Sequence, residues 1–447
     1  IILCNLFMTS FNNLVQKELD LFSTTNMTIG AITLAMILVI CLLAVLRPAV
    51  RYATKSSRSL LLQKSGDRVH AGERNLLIGF QVCFSFVLLV FSLIVASQID
   101  YFKNKDLGFD KENVVLLELN EDIFGHVEAF KSELNKINSV LDVSIGVAPG
   151  GAHHGWRFVP EGGSEDKPFL FPLAWVDHDY ISTLKIKLLK GQNFTPVRNE
   201  TDSLWSFLIN KRAALELGWA DDPIDRRLKV FAAGTTDIMA EGRIVGLIDD
   251  YHYESLHNPV KPVVLAAGDG YGTALVKISE RSFQQSIEPI KSTWQKFSNQ
   301  PFAYQLLDDE LEKLYSNEVK LSNLIVFFTV IALYLTCYGM FALSSLLFRS
   351  RLKEVTIRKV FGATQLSIIR QFYSRYAAFM LASIVIGIPI SIYVADLWLQ
   401  TFEYKIHISS TFFLIAGLSI FVVGLLSVSY YLILVAFSNP VKFLRSE

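Results

Sequence analysis

Charge is what this sequence has little of. Only 19% of its 447 residues are Asp, Glu, Lys or Arg, against ~25% in ordinary soluble domains. The 42 basic groups balance 42 acidic ones, so the formal net charge is zero. With 51% hydrophobic and 12% aromatic residues, a disordered chain, a collagen-like chain and a highly charged nucleic-acid binder are excluded. Cysteine is scarce too. Cys4, Cys41, Cys83 and Cys337 all lie in apolar segments, and none shows a CxxC or Cys/His metal spacing. The long polar middle of the chain holds none, so no disulfide framework is expected there. Also missing is any G-x-x-x-x-G-K-[ST] phosphate loop, which excludes a P-loop ATPase, and neither G-x-S-x-G nor H-E-x-x-H occurs.

The zero net charge is an average over segregated blocks. Residues 47–74 carry Arg47, Arg51, Lys55, Arg58, Lys64, Arg68 and Arg74 against Asp67 and Glu73. Residues 349–376 carry Arg349, Arg351, Lys353, Arg358, Lys359, Arg370 and Arg375 against Glu354. Residues 100–320 hold 24 basic and 34 acidic groups, a net of −10. Between the blocks lie mostly apolar runs at 28–46, 76–97, 324–348, 377–399 and 411–437, in which only Asp396 is formally charged. About 20 apolar residues cross a ~30 Å hydrocarbon core, and lipid demands that each backbone polar group be paired internally. Five membrane-spanning helices are therefore predicted. The excess of Lys and Arg assigns both basic loops, and the tail with Lys442 and Arg445, to the cytoplasm. Residues 100–320 then face outside. The short 400–410 turn is external as well, with Tyr393, Trp398, Phe402 and Tyr404 placed at the headgroup level. The chain starts on the outer side at Ile1 without a signal peptide, so it is expected to be the C-terminal part of a longer chain.

Within 100–320, strands are predicted at 113–119, 140–147, 273–279 and 302–307, with amphipathic helices at 123–138 and 283–298. Two strand–helix–strand units at the ends of one domain imply an α+β layer. Strands at 226–232, 241–248 and 262–267 and a helix at 210–217 lie between them, in an inserted subdomain of about 155–268. The helix of 76–97 continues outward through Tyr101-Phe102. With the polar, helix-favouring 308–323 it suggests a paired stalk.

Chemistry is hard to find. Gly268-Asp-Gly270-Tyr-Gly272 lies between strands with no helix after it, and reads as a hairpin turn. His252 and His257 near Asp249 and Asp250 fit neither one helical face nor a zinc spacing, and His153-His154 sits in a Gly/Pro loop. The spans lack the chain of ionisable groups that an ion-coupled transporter needs. No catalytic residue and no metal site is assigned.

The loop after Phe348 is more specific. Arg351-Leu-Lys-Glu-Val-Thr-Ile-Arg-Lys-Val-Phe-Gly-Ala-Thr364 reads as a short amphipathic helix, stopped by Gly362, with Thr364 as the next N-cap. It closely resembles the [RK]-E-[IV]-x-[IV]-R-[KR]-x-[LMF]-G-A-[ST] segment of FtsX-like permeases, the membrane subunits of MacB-type (type VII) ABC transporters. Asn439-Pro440-Val441-Lys442-Phe443-Leu444-Arg445 is similar to the N-P-[VA]-x-x-L-[RK] ending of that family. Arg74-Asn75-Leu76 through Gln81, Gln98, Tyr101, Leu107-Gly108-Phe109 and Lys111-Glu112-Asn113-Val114 resemble its entry into and exit from the first span. Val176-Asp177-His178-Asp179-Tyr180, Gly191-Gln192-Asn193-Phe194 and Gly246-Leu-Ile-Asp-Asp-Tyr-His252 resemble its external core.

That resemblance implies an α-helical membrane protein with a large α+β extracytoplasmic domain of MacB periplasmic-core type. Residues 75–99 would be the first span of the unit, 100–320 its periplasmic domain, and 321–447 the permease domain. Residues 1–74 would be the tail of a preceding repeat, as in duplicated Bacteroidetes-style permeases. Ala44 to Leu61 aligns without gaps to Ser427 to Leu444. The resemblance also implies the bacterial inner membrane, a non-catalytic subunit without a cofactor of its own, and a separate cytoplasmic ATPase that binds ATP. Lys353, Glu354, Ile357, Arg358, Lys359, Phe361 and Gly362 would form the helix coupled to that ATPase. Other implied partners are membrane lipid, a second permease half in a dimer or pseudo-dimer, and an envelope adaptor or outer-membrane component, with no nucleic acid. The implied cargo is an antimicrobial, a peptide or a lipoprotein. An FtsX-like regulator of an envelope hydrolase and a membrane-tethered receptor remain as alternatives.

Overall fold

The computed structural model describes Asn12 and residues 24–53, 67–151, 155–195, 204–231, 238–268, 272–279, 283–362 and 364–437. Two compact units result. One comprises Ile1–Gln98, Glu318–Leu399 and Ile406–Glu447, the other Ile99–Asn317 and Gln400–Lys405.

Four helices among the described residues are long and apolar enough to cross a membrane: Leu76–Asn104, Ser316–Ala342, Ile369–Leu399 and Ser410–Ser429. Five were expected; four are found among the described residues. Residues 28–46 do lie in a helix, Thr24–Ala53, but its described apolar stretch is only Gly30–Leu42.

Lipid tails are as apolar as leucine, so spanning helices associate through close packing and hydrogen bonds rather than through escape from water. Both devices are present. On the first span Ile78, Val82, Phe86, Val90 and Ile94 recur every four residues and are buried together with Met340, Met380, Ala416 and Ile420. Gly387 lets the Phe86 ring approach, for a Cβ there would stand 2.7 Å from its Cδ1 atom. Ser85 donates to the Ala332 carbonyl at 3.1 Å and shares a hydrogen bond with Thr336 at 2.8 Å. Tyr373 and Ser429 share another at 2.7 Å. Phe80, Leu381, Val385, Leu414 and Leu418 point outward and stay exposed, as a lipid-facing surface requires.

The second unit is built from strands β1 (Val114–Glu118), β2 (Val140–Gly146), β3 (Gly155–Pro160), β4 (Phe169–Val176), β5 (Leu188–Gly191), β6 (Trp205–Asn210), β7 (Arg227–Phe231), β8 (Ile238–Ile248), β9 (Val264–Ala267), β10 (Thr273–Ile278) and β11 (Gln305–Leu306). Strands β11-β1-β10-β2 form an antiparallel layer. Helices Val127–Asn135 and Phe283–Phe297 supply Phe130, Leu134, Ile290 and Trp294 to its buried face. The single helix expected at 123–138 is two, Glu121–Phe124 and Val127–Asn135, because Gly125 ends the first after one turn. The strand expected at 302–307 shrinks to the two residues of β11.

The remaining strands close on themselves. Following β4-β3-β7-β8-β6-β9, β9 pairs in parallel with β4, Leu173 opposite Val264, and returns the sheet to its start. Closure removes the open edges that a flat sheet would expose. Phe158, Phe171, Phe207, Ile209, Leu228, Val230, Ile244 and Val264 fill the interior.

Barrel and layer share one register pair, Gly146 opposite Val176, and a buried ion pair beside it. Lys131 binds the carboxylate of Asp177 and, at 2.6 Å, that of Asp179. The Lys131 and Asp177 side chains are only 5% and 7% exposed, and Asp177 also accepts from the Ile145 N–H at 3.0 Å. Burial opposes the Lys131 charge, but the carboxylates of Asp177 and Asp179 outweigh it and raise its pKa. Removing one member of such a pair leaves the other charge buried and alone, which costs about 3–5 kcal/mol. Lys131→Met should therefore destabilise this unit by that order in a denaturant titration of the full chain. Lys131→Met/Asp177→Leu should recover most of the loss. A single-variant cost below ~1 kcal/mol, the range of an exposed pair, would contradict the pinning role.

Candidate functional site

The basic loop lies at the end of a long helix. The helix that begins at Ser316 runs unbroken to Val360. The short separate helix expected around 353–364 is corrected accordingly: residues 353–360 are its last turns. The physical reason is the absence of any Gly or Pro between Ala342 and Phe361, so nothing stops helix propagation once the span has formed. The side chains of Lys353, Glu354, Ile357, Arg358 and Lys359 lie outside what the structure describes. Phe361 is 85% exposed. Gly362 takes φ +91°, a left-handed conformation that ends helices at little cost to glycine. Thr364 caps the next helix as expected. Its hydroxyl accepts from the Ser367 N–H at 3.3 Å, and its carbonyl accepts from the Ser367 hydroxyl at 2.7 Å. Leu366 is exposed beside it. The tip thus offers two apolar side chains and a sharp turn.

A second constellation, which the sequence reading missed, lies in the other unit. Phe102, in the last turn of the helix Asp67–Asn104, stacks on Tyr315 with ring centroids 4.9 Å apart. Phe402 meets Phe102 at 5.3 Å and His257 at 4.7 Å. Tyr315 accepts a hydrogen bond from the buried Leu256 N–H at 2.9 Å. Around this cluster Lys103 pairs with Glu312 at 2.7 Å and Lys111 with Asp308 at 2.8 Å. The two helix extensions therefore do meet, through one stacked ring pair and an ion pair. Tyr101-Phe102 was visible as helix continuation, but nothing local marked its partners.

Phe402 and Tyr404, expected at the headgroup level, have protein contacts. Phe402 is 4% exposed, and Tyr404 packs edge-on against His252 at 4.9 Å. Tyr393 keeps the expected exposed position, and Trp398 sits against Phe91.

The acidic and histidine candidates separate into different roles. Asp249 pairs with Lys211 at 2.9 Å, and Asp250 accepts from the Arg212 N–H at 3.0 Å. His257 shares a 2.6 Å hydrogen bond with Ser255. Among the described residues no group of His, Cys, Asp or Glu could hold a metal ion. His153, His154 and residues 269–271 lie outside the described residues.

His252 has an unusual proton affinity. Burial and then the nearby Lys105 cation lower its pKa from 6.5 to about 4, with Asp106 opposing. A base whose folded pKa is depressed stays neutral in the fold while the unfolded chain takes up a proton. Stability should therefore fall as pH drops from 6.5 towards 4. Allowing for partial exposure, the loss is of order 1–2 kcal/mol. His252→Phe, which keeps a ring against Tyr404, should flatten the pH dependence of thermal unfolding in that window. An unchanged profile would contradict the assignment.

Residues 326–440 match the FtsX-like permease C-terminal family. Among solved structures, the chain is similar to the periplasmic region of MacB from Actinobacillus actinomycetemcomitans, at 14% identity over 48% of this chain and 98% of that one, with a TM-score of 0.33. It is also similar to the extracellular domain of the noncanonic ABC-type transporter YknZ from Gram-positive bacteria, at 12% identity over 43% of this chain and 98% of that one, with a TM-score of 0.30. No curated protein sequence matches the chain. Residues 326–440, which include most of the last three spanning-length helices, are thus similar to the C-terminal domain of FtsX-like permeases.

Proposed function

We propose that this chain is the membrane subunit of a MacB-type ABC system that converts ATP hydrolysis by a separate cytoplasmic subunit into movement of its external domain. The observation that carries the reading is the helix Ser316–Val360, 45 residues without a break. At 1.5 Å per residue it is about 68 Å long. It begins one residue after Tyr315 of the aromatic cluster and ends one residue before exposed Phe361. A push at its tip would reach the other end as a rigid-body displacement, since a continuous helix has no hinge to absorb it.

In this reading residues 353–362 seat against the ATPase. By sequence spacing alone, Ile357 and Phe361 stand four positions apart, as do Glu354 and Arg358, and would offer that subunit an apolar and a charged pair. Gly362 sets the exit turn. The spans provide hydroxyls and close packing but no chain of ionisable groups, which fits mechanical transmission better than passage of a polar substrate between them. The subunit would sit in the bacterial inner membrane with residues 100–320 in the periplasm, export antimicrobials or peptides or release lipoproteins, and work with a second permease half.

Co-purification of the full-length protein with its ATPase tests this directly. Glu354→Ala/Arg358→Ala should weaken association by about tenfold or more, consistent with loss of ~1.4 kcal/mol or more at an interface. Ser350→Pro should preserve association but abolish stimulation of ATP hydrolysis by cargo, because proline in a helix interior kinks or breaks it. Failure to recover any ATPase, or full stimulation in Ser350→Pro, would overturn the reading.

A further inference from the structure

Among the four spanning helices of the described residues, only the third carries a proline. The helix Gln365–Leu399 holds Pro389 in its interior, whereas Leu76–Asn104, Ser316–Ala342 and Ser410–Ser429 have none. We propose that the third span is built to bend over residues 385–389 around the ring of Phe86, as two segments joined by a hinge, while the second span stays straight. The hinge lies wholly within the membrane unit and does not rest on the ATPase-driven reading above.

Local chemistry weakens the helix at this place. Proline has no N–H, so the Val385 carbonyl loses its intrahelical donor, and the proline ring crowds that carbonyl. In lipid no water replaces the lost bond. Gly387, two residues before the proline, leaves the backbone freer than any residue with a Cβ. Serines flank the pair and bond back onto their own helix. The Ser383 hydroxyl donates to the Phe379 carbonyl at 3.1 Å, and the Ser391 hydroxyl to the Ile388 carbonyl at 2.9 Å, contacts of a kind that bends helices. All of these features fall between Ser383 and Ser391.

The orientation of the residues sets the direction of the bend. Val385 and Pro389 are exposed, and Gly387 is buried. The missing bond therefore lies on the lipid side and the glycine on the side of the first span. There Phe86 is fully buried, and a Cβ on Gly387 would stand 2.7 Å from its Cδ1 atom. Crowding between the proline ring and the Val385 carbonyl opens the helix on the lipid face, so the bend closes around Phe86. The first span meets the third on both sides of this fulcrum. A Cβ on Gly79 would stand 3.0 Å from the Phe379 ring, and Trp398 packs edge-on against Phe91 at 5.8 Å. A ring resting on a glycine and an edge-on ring pair can slide, so each segment can tilt while Phe86 keeps its seat. The first and second spans are joined differently, by the hydrogen bonds of Ser85 to the Ala332 carbonyl and to Thr336, which pin that pair.

Paired spin labels on the full chain in nanodiscs, without ATPase or nucleotide, read the hinge as the width of an inter-label distance distribution. In a background with Cys4, Cys41, Cys83 and Cys337 replaced by alanine, one pair is placed at Ala378 and Ile392, both exposed and on the face of Pro389. The reference pair is Leu321 and Leu335, both exposed on the second span. Each pair is about 21 Å apart along a straight helix. A bend of ~20°, the lower bound of a proline kink, opens the labelled face by about 3 Å, so the 378–392 distribution should be about 3 Å wider than the reference. Pro389→Ala and Pro389→Leu, at a lipid-facing position, restore the N–H and should narrow it to the reference width. A 378–392 distribution no wider than the reference would mean a straight helix or a fixed kink, and either sinks the hinge. So does a width that survives both proline substitutions. These outcomes leave the ATPase-coupling reading untouched, and loss of ATPase association would leave the hinge standing.

Discussion

Everything in this chain depends on a helix that is given no place to stop. Lipid requires each backbone donor and acceptor to be paired within its own segment, so a span must be helical. What happens beyond the span is decided by which residues follow it. After the last apolar residues near Phe348 come Arg, Ser, Leu, Lys and Glu, all tolerant of a helix, and the first glycine is Gly362. The helix therefore runs to Val360. The basic tip and the aromatic cluster adjoin opposite ends of one rod. A loop that simply connected two spans would have separated them.

The charge balance follows the same division. The exposed domain carries the net −10, and the loops flanking the spans carry the positive excess. Inside the spans the polar groups are short hydroxyls such as Ser85, Thr336 and Ser429, each hydrogen-bonded across a helix pair. Such groups fix which helix faces meet without the cost of burying charge. In the external unit the buried charges are few and paired. Lys131 with Asp177 and Asp179 sits where barrel and layer share a single register pair, so the covalently sparse joint is electrostatically reinforced.

Much of this was legible in the residues. Span positions followed from apolar length, the layer strands at 114–118, 140–146 and 273–278 from β-branched runs, and the Gly362 stop with the Thr364 cap from local capping chemistry. Barrel closure was not, because Leu173 meets Val264 across a long stretch of chain and a parallel pairing leaves no local signature. The separate coupling helix was misread because the charge change after Phe348 looked like a boundary. Composition can change without interrupting hydrogen bonding, and only Gly or Pro would have broken it. The ring contacts of Phe402 and Tyr404 were not legible for a related reason. Aromatic residues at the end of a span are interfacial by composition, and the contacts with His252, His257 and Phe102 are tertiary, with no local signature.

The central claim is that events at residues 353–362 are felt at the aromatic cluster. The most direct measurement is amide exchange at Leu256, whose N–H donates to Tyr315, in the wild-type complex with its ATPase, nucleotide-free and then trapped with a non-hydrolysable ATP analogue. The account predicts a change in Leu256 protection between the two states, at about 68 Å of helix from the tip, with β10 unaltered. Identical Leu256 protection in both states, alongside an altered Phe361 tip, would contradict it.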